Sequence, residues 1–485
     1  MGELDDYIYV GTGRNIPLLV IQSIALGINP PSLIEPNPQD NLPEIWRYKK
    51  DGTLPWDRVY KAKPGSGITG FRFMISDRPA GGSPCLFISS FGLQVKILKS
   101  TNGCNWFEMP YAALSGTSSR AMIVIGNKLY VATVDDVNLN DIPLLYSSKD
   151  PEYYPWEDRI DAGNPLFDPS KNPKGAITNM ALFNNKLYVA TSTGDGAEVW
   201  RTNSEEPKLN DWTLIVDKGF GDSANKYVLS VGVFKGYLYV SGTKELPLAW
   251  AIPFGCDIIR IDKNDNWQLV VGGHPLIPSI PSKGVRGESI SCLGSGFNNP
   301  FNVYAWQIQQ YKGELLISTF DDSSNMEVIL GILLGNRAAI EIIIGARATA
   351  IIIGVYEAVV RILAKIKYPI GFDLYVSKDG MSFKSIVKRG LKNPNNYGGR
   401  ILFVDNEEEL YLGTANPFQG CEVWKGISKK DNDCYCGDEI DESYDRELNM
   451  RLEIEEEIEK HFTVLKENLP EIMDILPQET FHNFI

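Results

Sequence analysis

Seven near-copies of one short strand constrain this chain more tightly than any other feature. The stretch "YIYVGT" at residues 7–12 returns as "CLFISS" (85–90), "KLYVAT" (128–133), "KLYVAT" (186–191), "YLYVSGT" (237–243), "ELLIST" (314–319) and "ELYLGT" (409–414). Each copy leads into a further strand of its unit: "EIWRY" from Glu44, "KILKS" from Lys96, "LLYSS" from Leu144, "EVWRT" from Glu198, "DIIRI" from Asp257, "DLYVS" from Asp373 and "EVWK" from Glu422. Six then pass through a polar turn to a strand at Trp56, Trp106, Trp156, Trp212, Trp267 or Phe383. Six are preceded by a further strand: "GFRFMI", "SRAMIVI", "TNMALF", "LSVGVF", "AWQIQQY" and "GRILFV". Four short alternating strands per unit, repeated about every 40 to 60 residues with Gly, Asn and Asp at the turns, predict an all-β fold, a β-propeller.

The turns "KSTNGCNW" and "SKDGMSF" resemble the Asp-box, a Ser-x-Asp-Gly-like hairpin followed by an aromatic residue. On those residues the chain resembles the sialidase-like and kelch-like repeat propellers. The resemblance implies the fold over residues 1–426 and carries no chemistry, because its motifs shape turns. Seven copies predict seven four-stranded blades. The first unit has no visible inner strand and the last has no aromatic outer strand, so six blades with one end segment outside the ring is the alternative.

In a propeller, the loops before each inner strand and after each second strand share one face. The hairpins on the other face are terse: "NNK", "FKG", "YKG", "SKDG". Nearly every long segment falls on the first face: 13–43, 134–143, 244–256 and 320–372 after second strands, 161–176 and 271–303 before inner ones. Long loops on a rigid scaffold are where function concentrates. The segment 320–372 is the longest of them and is rich in Ile, Leu, Val and Ala. Its longest uncharged run, 348–356, is nine residues, against roughly twenty needed to cross a bilayer. Arg337 and Glu341 stand four apart, as do Glu357, Arg361 and Lys365, which is helical spacing. Gly335, Gly345 and Gly354 predict a helical hairpin rather than one helix, with strand as the alternative for "EIIIG" and "AIIIG". Such a hairpin packs on the ring, closes as a lid over an apolar ligand, or makes a peripheral membrane or partner contact.

The formal net charge of −14 argues against nucleic acid as a partner and against simple adsorption to an anionic membrane. The opening "MGELDDYIYVGTG" has no basic stretch followed by an apolar run, so the expected location is the cytoplasm. Seven cysteines, with only Cys434 and Cys436 closely spaced, suggest reduced thiols rather than a disulfide framework or zinc site. Of three histidines, two lie in the tail, leaving His274 for any Ser–His or Cys–His unit.

Aligning the inner strands puts Arg72, Arg120, Thr178, Leu229, Trp306 and Arg400 in one register. Arg72, Arg120 and Arg400, with Trp306 and Gln307, are candidate ligand-binding residues for a carboxylate or phosphate. The plain alternative is that each arginine ties neighbouring blades together through a carboxylate. Four residues before that register, Asn225, Asn302 and Asn396 recur as turn formers or as amide oxygens around a calcium ion. "FDDSS" and "TVDD" offer Asp321, Asp322, Asp135 and Asp136 as a general acid and base or as holders of a divalent cation. Their plain reading is helix and turn capping. Trp250, Phe297, Phe301, Tyr304 and Phe418 add aromatic surface to the expected mouth. Cys256 and Cys421 share a place in the repeat, as small buried residues do. Beyond residue 426 the composition turns acidic, and 427–485 is expected to form a helical tail. The expected function is binding, with or without chemical conversion, of a small, partly apolar anion at the long-loop mouth. The alternative is a protein-interaction scaffold using the same face and the tail.

Overall fold

A computed structural model describes residues 1–14, 42–79, 82–110, 114–135, 142–244, 254–366, 368, 370–416 and 419–427. These residues build an all-β body of successive antiparallel meanders spanning 2–61, 68–108, 118–158, 176–216, 225–271, 302–387 and 398–425, called the first to seventh below. The seventh shows three strands within the described residues and each of the others four. The second strand of each meander is one of the repeated segments. It lies between two partners of its own sheet, so "CLFISSFG" is buried along its whole length. That double burial is why Val, Ile, Leu and Tyr crowd into it.

The tyrosine of the repeated strand reaches into the next meander. Tyr239 donates to the Gly380 carbonyl at 3.2 Å, and Tyr188 to Asp265 at 2.7 Å. At Gly103, a Cβ would lie 1.7 Å from the Tyr9 hydroxyl. The glycine of the Asp-box-like turn is therefore required by an incoming phenol as well as by its positive φ of 70°.

Successive inner strands adjoin, with bridges Phe91–Ser118 and Phe320–Gly398 joining neighbouring sheets. The last meander meets the first. The Asn406 amide donates to Glu3 at 2.9 Å, and Lys50 pairs with Glu3, with Glu407 at 3.3 Å and with Asp405 at 3.6 Å. This closure is that of a β-propeller. One expectation is corrected here: the first meander does have an inner strand, Gly2–Leu4, which pairs with Tyr7–Gly11.

Between the strands Glu314–Asp321 and Leu374–Ser377 stand three helices: α1 (Met326–Gly335), α2 (Arg337–Ile344) and α3 (Ala346–Ile366). The expected two-helix hairpin is thus three helices, and the β-branched runs are helical. Breaks fall beside Gly335 and at Gly345, but Gly354 remains inside α3. Ile353, Tyr356, Val359 and Leu363 recur at helical spacing on the buried side of α3. Tyr356, Val359 and Leu363 pack with Phe301, Met326 and Tyr368. No described helix is long and apolar enough to cross a membrane.

Candidate functional site at the mouth

Six inner strands carry a β-bulge at one equivalent place. The residue skipped in the pairing is Arg72, Arg120, Thr178, Leu229, Trp306 or Arg400 in turn. These are the six positions of the sequence register. A bulge breaks the strict two-residue alternation and re-aims the side chain it carries.

Arg72 stacks on Phe91, its guanidinium carbon 4.7 Å from the ring centre, and Arg400 stacks on Trp306 at 4.9 Å. Burial and then the Arg72 charge push the Arg400 guanidinium down to about 10, so it stays cationic at neutral pH. Among the described residues Arg400 has no carboxylate partner within salt-bridge distance. Trp306 sits among Tyr304, Phe320 and Tyr397, with ring centres 5.3 to 6.1 Å away. Its plane covers Gly398, where a Cβ would lie 2.1 Å from the indole. Gln307, next on the strand, is half-buried. Arg120 is half-buried on the third meander's inner strand.

Asp321 ends the second strand of the sixth meander, Asp322 opens the turn that follows, and each is 1 % exposed. The Asp321 carboxylate caps the turn Asp322–Asn325, accepting from the amide (2.9 Å) and hydroxyl of Ser323. Its other oxygen accepts from Tyr368 at 3.0 Å and Asn299 at 3.4 Å. Burial, with a contribution from Asp373, pushes Asp321 up to about 7 against those hydrogen bonds. Asp322 differs. One oxygen accepts from Asn325 at 3.1 Å, and the other is buried with no hydrogen-bond partner among the described residues. Burial raises Asp322 well above the usual carboxylate range, with a further push from Asp321. Burial also raises Tyr356 and Tyr397, and the Asp322 charge adds to both shifts. Asp322 is thus electrostatically linked to Tyr356 on α3 and to Tyr397 beside Trp306.

Asp135 ends the second strand of the third meander, on a different sheet from the Asp321–Asp322 pair. Asp136, Trp250, Phe418 and residues 428–485 lie outside the described residues. Phe297 does not face the mouth; it stacks on Tyr375 at 4.0 Å inside the core. Cys256 is buried, whereas Cys421 is exposed, so their shared place in the repeat does not extend to burial.

The three asparagines form one repeated device. Each amide nitrogen donates to the carbonyl of a glycine six residues earlier: Gly219, Gly296 and Gly390 at 2.9 to 3.0 Å. Each also donates to the acid that opens its meander's third strand: Asp257 (2.9 Å), Asp373 (3.2 Å) and Glu422 (2.9 Å). The glycine and its successor (Phe220, Phe297 or Leu391) are both left-handed, a turn held by the asparagine. No group of three or more His, Cys, Asp or Glu among the described residues is placed to hold a metal ion.

A buried ionic knot was not anticipated from the sequence. Lys244 shares its ammonium between Asp222 (2.6 Å) and Asp257 (2.8 Å), and Arg286 reaches Asp257 at 3.1 Å. Asp222 also accepts from the amides of Leu276 and Ile277, pinning the loop before the sixth meander. The pattern hint was slight: Lys244 follows the repeated strand where the other copies carry no lysine.

No protein-family model matches the chain, and no curated protein matches it in sequence. Among solved structures, it is similar to the BP39L lectin from Burkholderia pseudomallei at 10 % identity and a TM-score of 0.39, over 80 % of this chain and 92 % of the lectin. It is similar to an acylaminoacyl peptidase from Pyrococcus horikoshii at 8 % and 0.38, over 88 % of this chain and 50 % of the peptidase. An α-L-arabinanase from Cellvibrio cellulosa aligns at 11 % and 0.29, over 53 % of this chain and 89 % of the enzyme. Similarities this loose assign neither a chemistry nor a ligand to this chain.

Proposed function

We propose that the chain is a seven-bladed β-propeller that binds a small, partly apolar anion at its long-loop mouth, beneath α1–α3. The observation that supports this most is the Arg400 guanidinium, stacked on Trp306 and lacking a carboxylate partner among the described residues. A half-buried cation with no carboxylate partner among the described residues is suited to an anion brought in from outside. Tyr304, Phe320 and Tyr397 offer the apolar part of the ligand a wall. Asp322, whose carboxyl is pushed well above the usual range by burial, is the group suited to give a hydrogen bond to the ligand or, where the ligand is converted, to serve as a general acid. The helices exclude water from that encounter.

Native mass spectrometry on the full chain purified from its own host tests the reading. The expected result is a bound small anion at near one-to-one stoichiometry. Arg400→Met should lose it, with the midpoint of thermal unfolding unchanged or slightly raised, since one of two like charges is removed. A wild-type chain that is empty but carries a co-purifying protein would overturn the reading in favour of an interaction scaffold.

A further inference from the structure

The solvent side of the three helices carries bulky aliphatic and basic residues together. Val328, Leu334 and Ile342 are 40 %, 47 % and 87 % exposed. The exposed charged residues of these helices are Arg337, Arg347, Arg361 and Lys365, against Glu327 alone. Glu341 and Glu357 are half-buried, and Glu341 pairs with Arg337 at 2.7 Å. A chain of net charge −14 therefore presents a locally basic surface studded with bulky aliphatic groups, the make-up of a helix that lies in a bilayer interface. The whole-chain charge repels an anionic membrane from most directions. Beyond a Debye length of about 8 Å that repulsion is screened, so the local patch governs contact.

We propose that the outer face of α1–α3 docks on an anionic phospholipid surface. Leu334 and Ile342 enter the interfacial layer while Arg347, Arg361 and Lys365 meet the headgroups. The contact is peripheral, because no described helix can cross the bilayer. It stands on exposed residues alone and does not depend on a ligand at Arg400.

The test is flotation of the full-length chain with phosphatidylcholine vesicles, with and without phosphatidylglycerol. Binding is expected only to the anionic vesicles and should weaken as salt is raised. Each basic residue near the surface contributes about fivefold in affinity, so Arg361→Glu with Lys365→Glu should abolish flotation. Leu334→Asp with Ile342→Asp should do so independently. All four side chains are exposed, so unfolding midpoints should stay unchanged. Absence of binding to either vesicle, or binding indifferent to both pairs of substitutions, overturns the proposal. So does a concentration-dependent dimer, lost on Ile342→Asp, that forms without vesicle binding, since the patch would then be a self-contact.

Discussion

Asp321 and Asp322 are neighbours in sequence whose surroundings assign them different work. Asp321 is fully committed inside the fold: both its oxygens accept hydrogen bonds, and one of its donors is Tyr368, just beyond α3. Its role as a cap was legible in the sequence, because an Asp ahead of Asp-Ser-Ser-Asn is a standard helix opening. The depth of its burial was not, since that depends on Tyr368 and Asn299, 47 and 22 residues away. The consequence is a pH dependence of defined sign. The folded state holds the Asp321 proton up to about pH 7, whereas an unfolded chain releases it near the ordinary carboxylate value of 3.8. Stability from this group is therefore complete below that lower value, falls as pH rises toward 7, and is lost beyond it. Asp321→Asn cannot ionise, yet keeps an oxygen for the Ser323 amide. Its unfolding midpoint relative to the wild type should rise between pH 4 and about 7 and level off above that. A flat difference across that range would show that Asp321 is ionised throughout.

At the scale of elements, the bulged inner strands and the helices show what local patterns can and cannot carry. The register of Arg72, Arg120, Thr178, Leu229, Trp306 and Arg400 was readable by aligning each inner strand on the repeated strand that follows it, eight residues on in four copies, nine from Arg400 and thirteen from Arg72. The bulge itself was not readable, since a one-residue slip in pairing leaves composition unchanged. The helices show the complementary limit. Gly335 and Gly345 mark real breaks, but Gly354 lies on the exposed side of α3 with open space where its Cβ would be. Its cost there is only the roughly 0.5–1 kcal/mol of glycine in a helix interior. Burial of Ile353, Tyr356 and Val359 around it outweighs that amount. Gly354→Ala should accordingly stabilise the helices by about 0.5–1 kcal/mol, seen as slower amide hydrogen exchange across 346–366. Accelerated exchange would mean that glycine supplies a bend there rather than a tolerated weakness.

For the whole molecule, the decisive joint is the one the chain does not make covalently. Successive meanders are linked by the polypeptide, but the seventh must find the first across some 400 residues. Sequence reading left six and seven blades open for this reason: Gly2–Leu4 is three residues long, too short for any periodicity to declare it. Its place is set by long-range partners. Glu3 is 7 % exposed and accepts from Asn406 and Lys50, while Lys50 also faces Asp405 and Glu407. Lys49, its neighbour, pairs with Asp51 within its own turn at a much more exposed site. The two lysines form a matched comparison. Breaking a buried ion pair from one side strands its partner and costs about 3–5 kcal/mol, whereas an exposed pair contributes about 0–1 kcal/mol. Lys50→Met should therefore lower the urea midpoint strongly and expose the first and last meanders to protease before the rest. Lys49→Met should do neither. Equal, small effects of the two would mean that closure rests on apolar packing between the end sheets, and that Glu3 tolerates isolation because solvent reaches the seam.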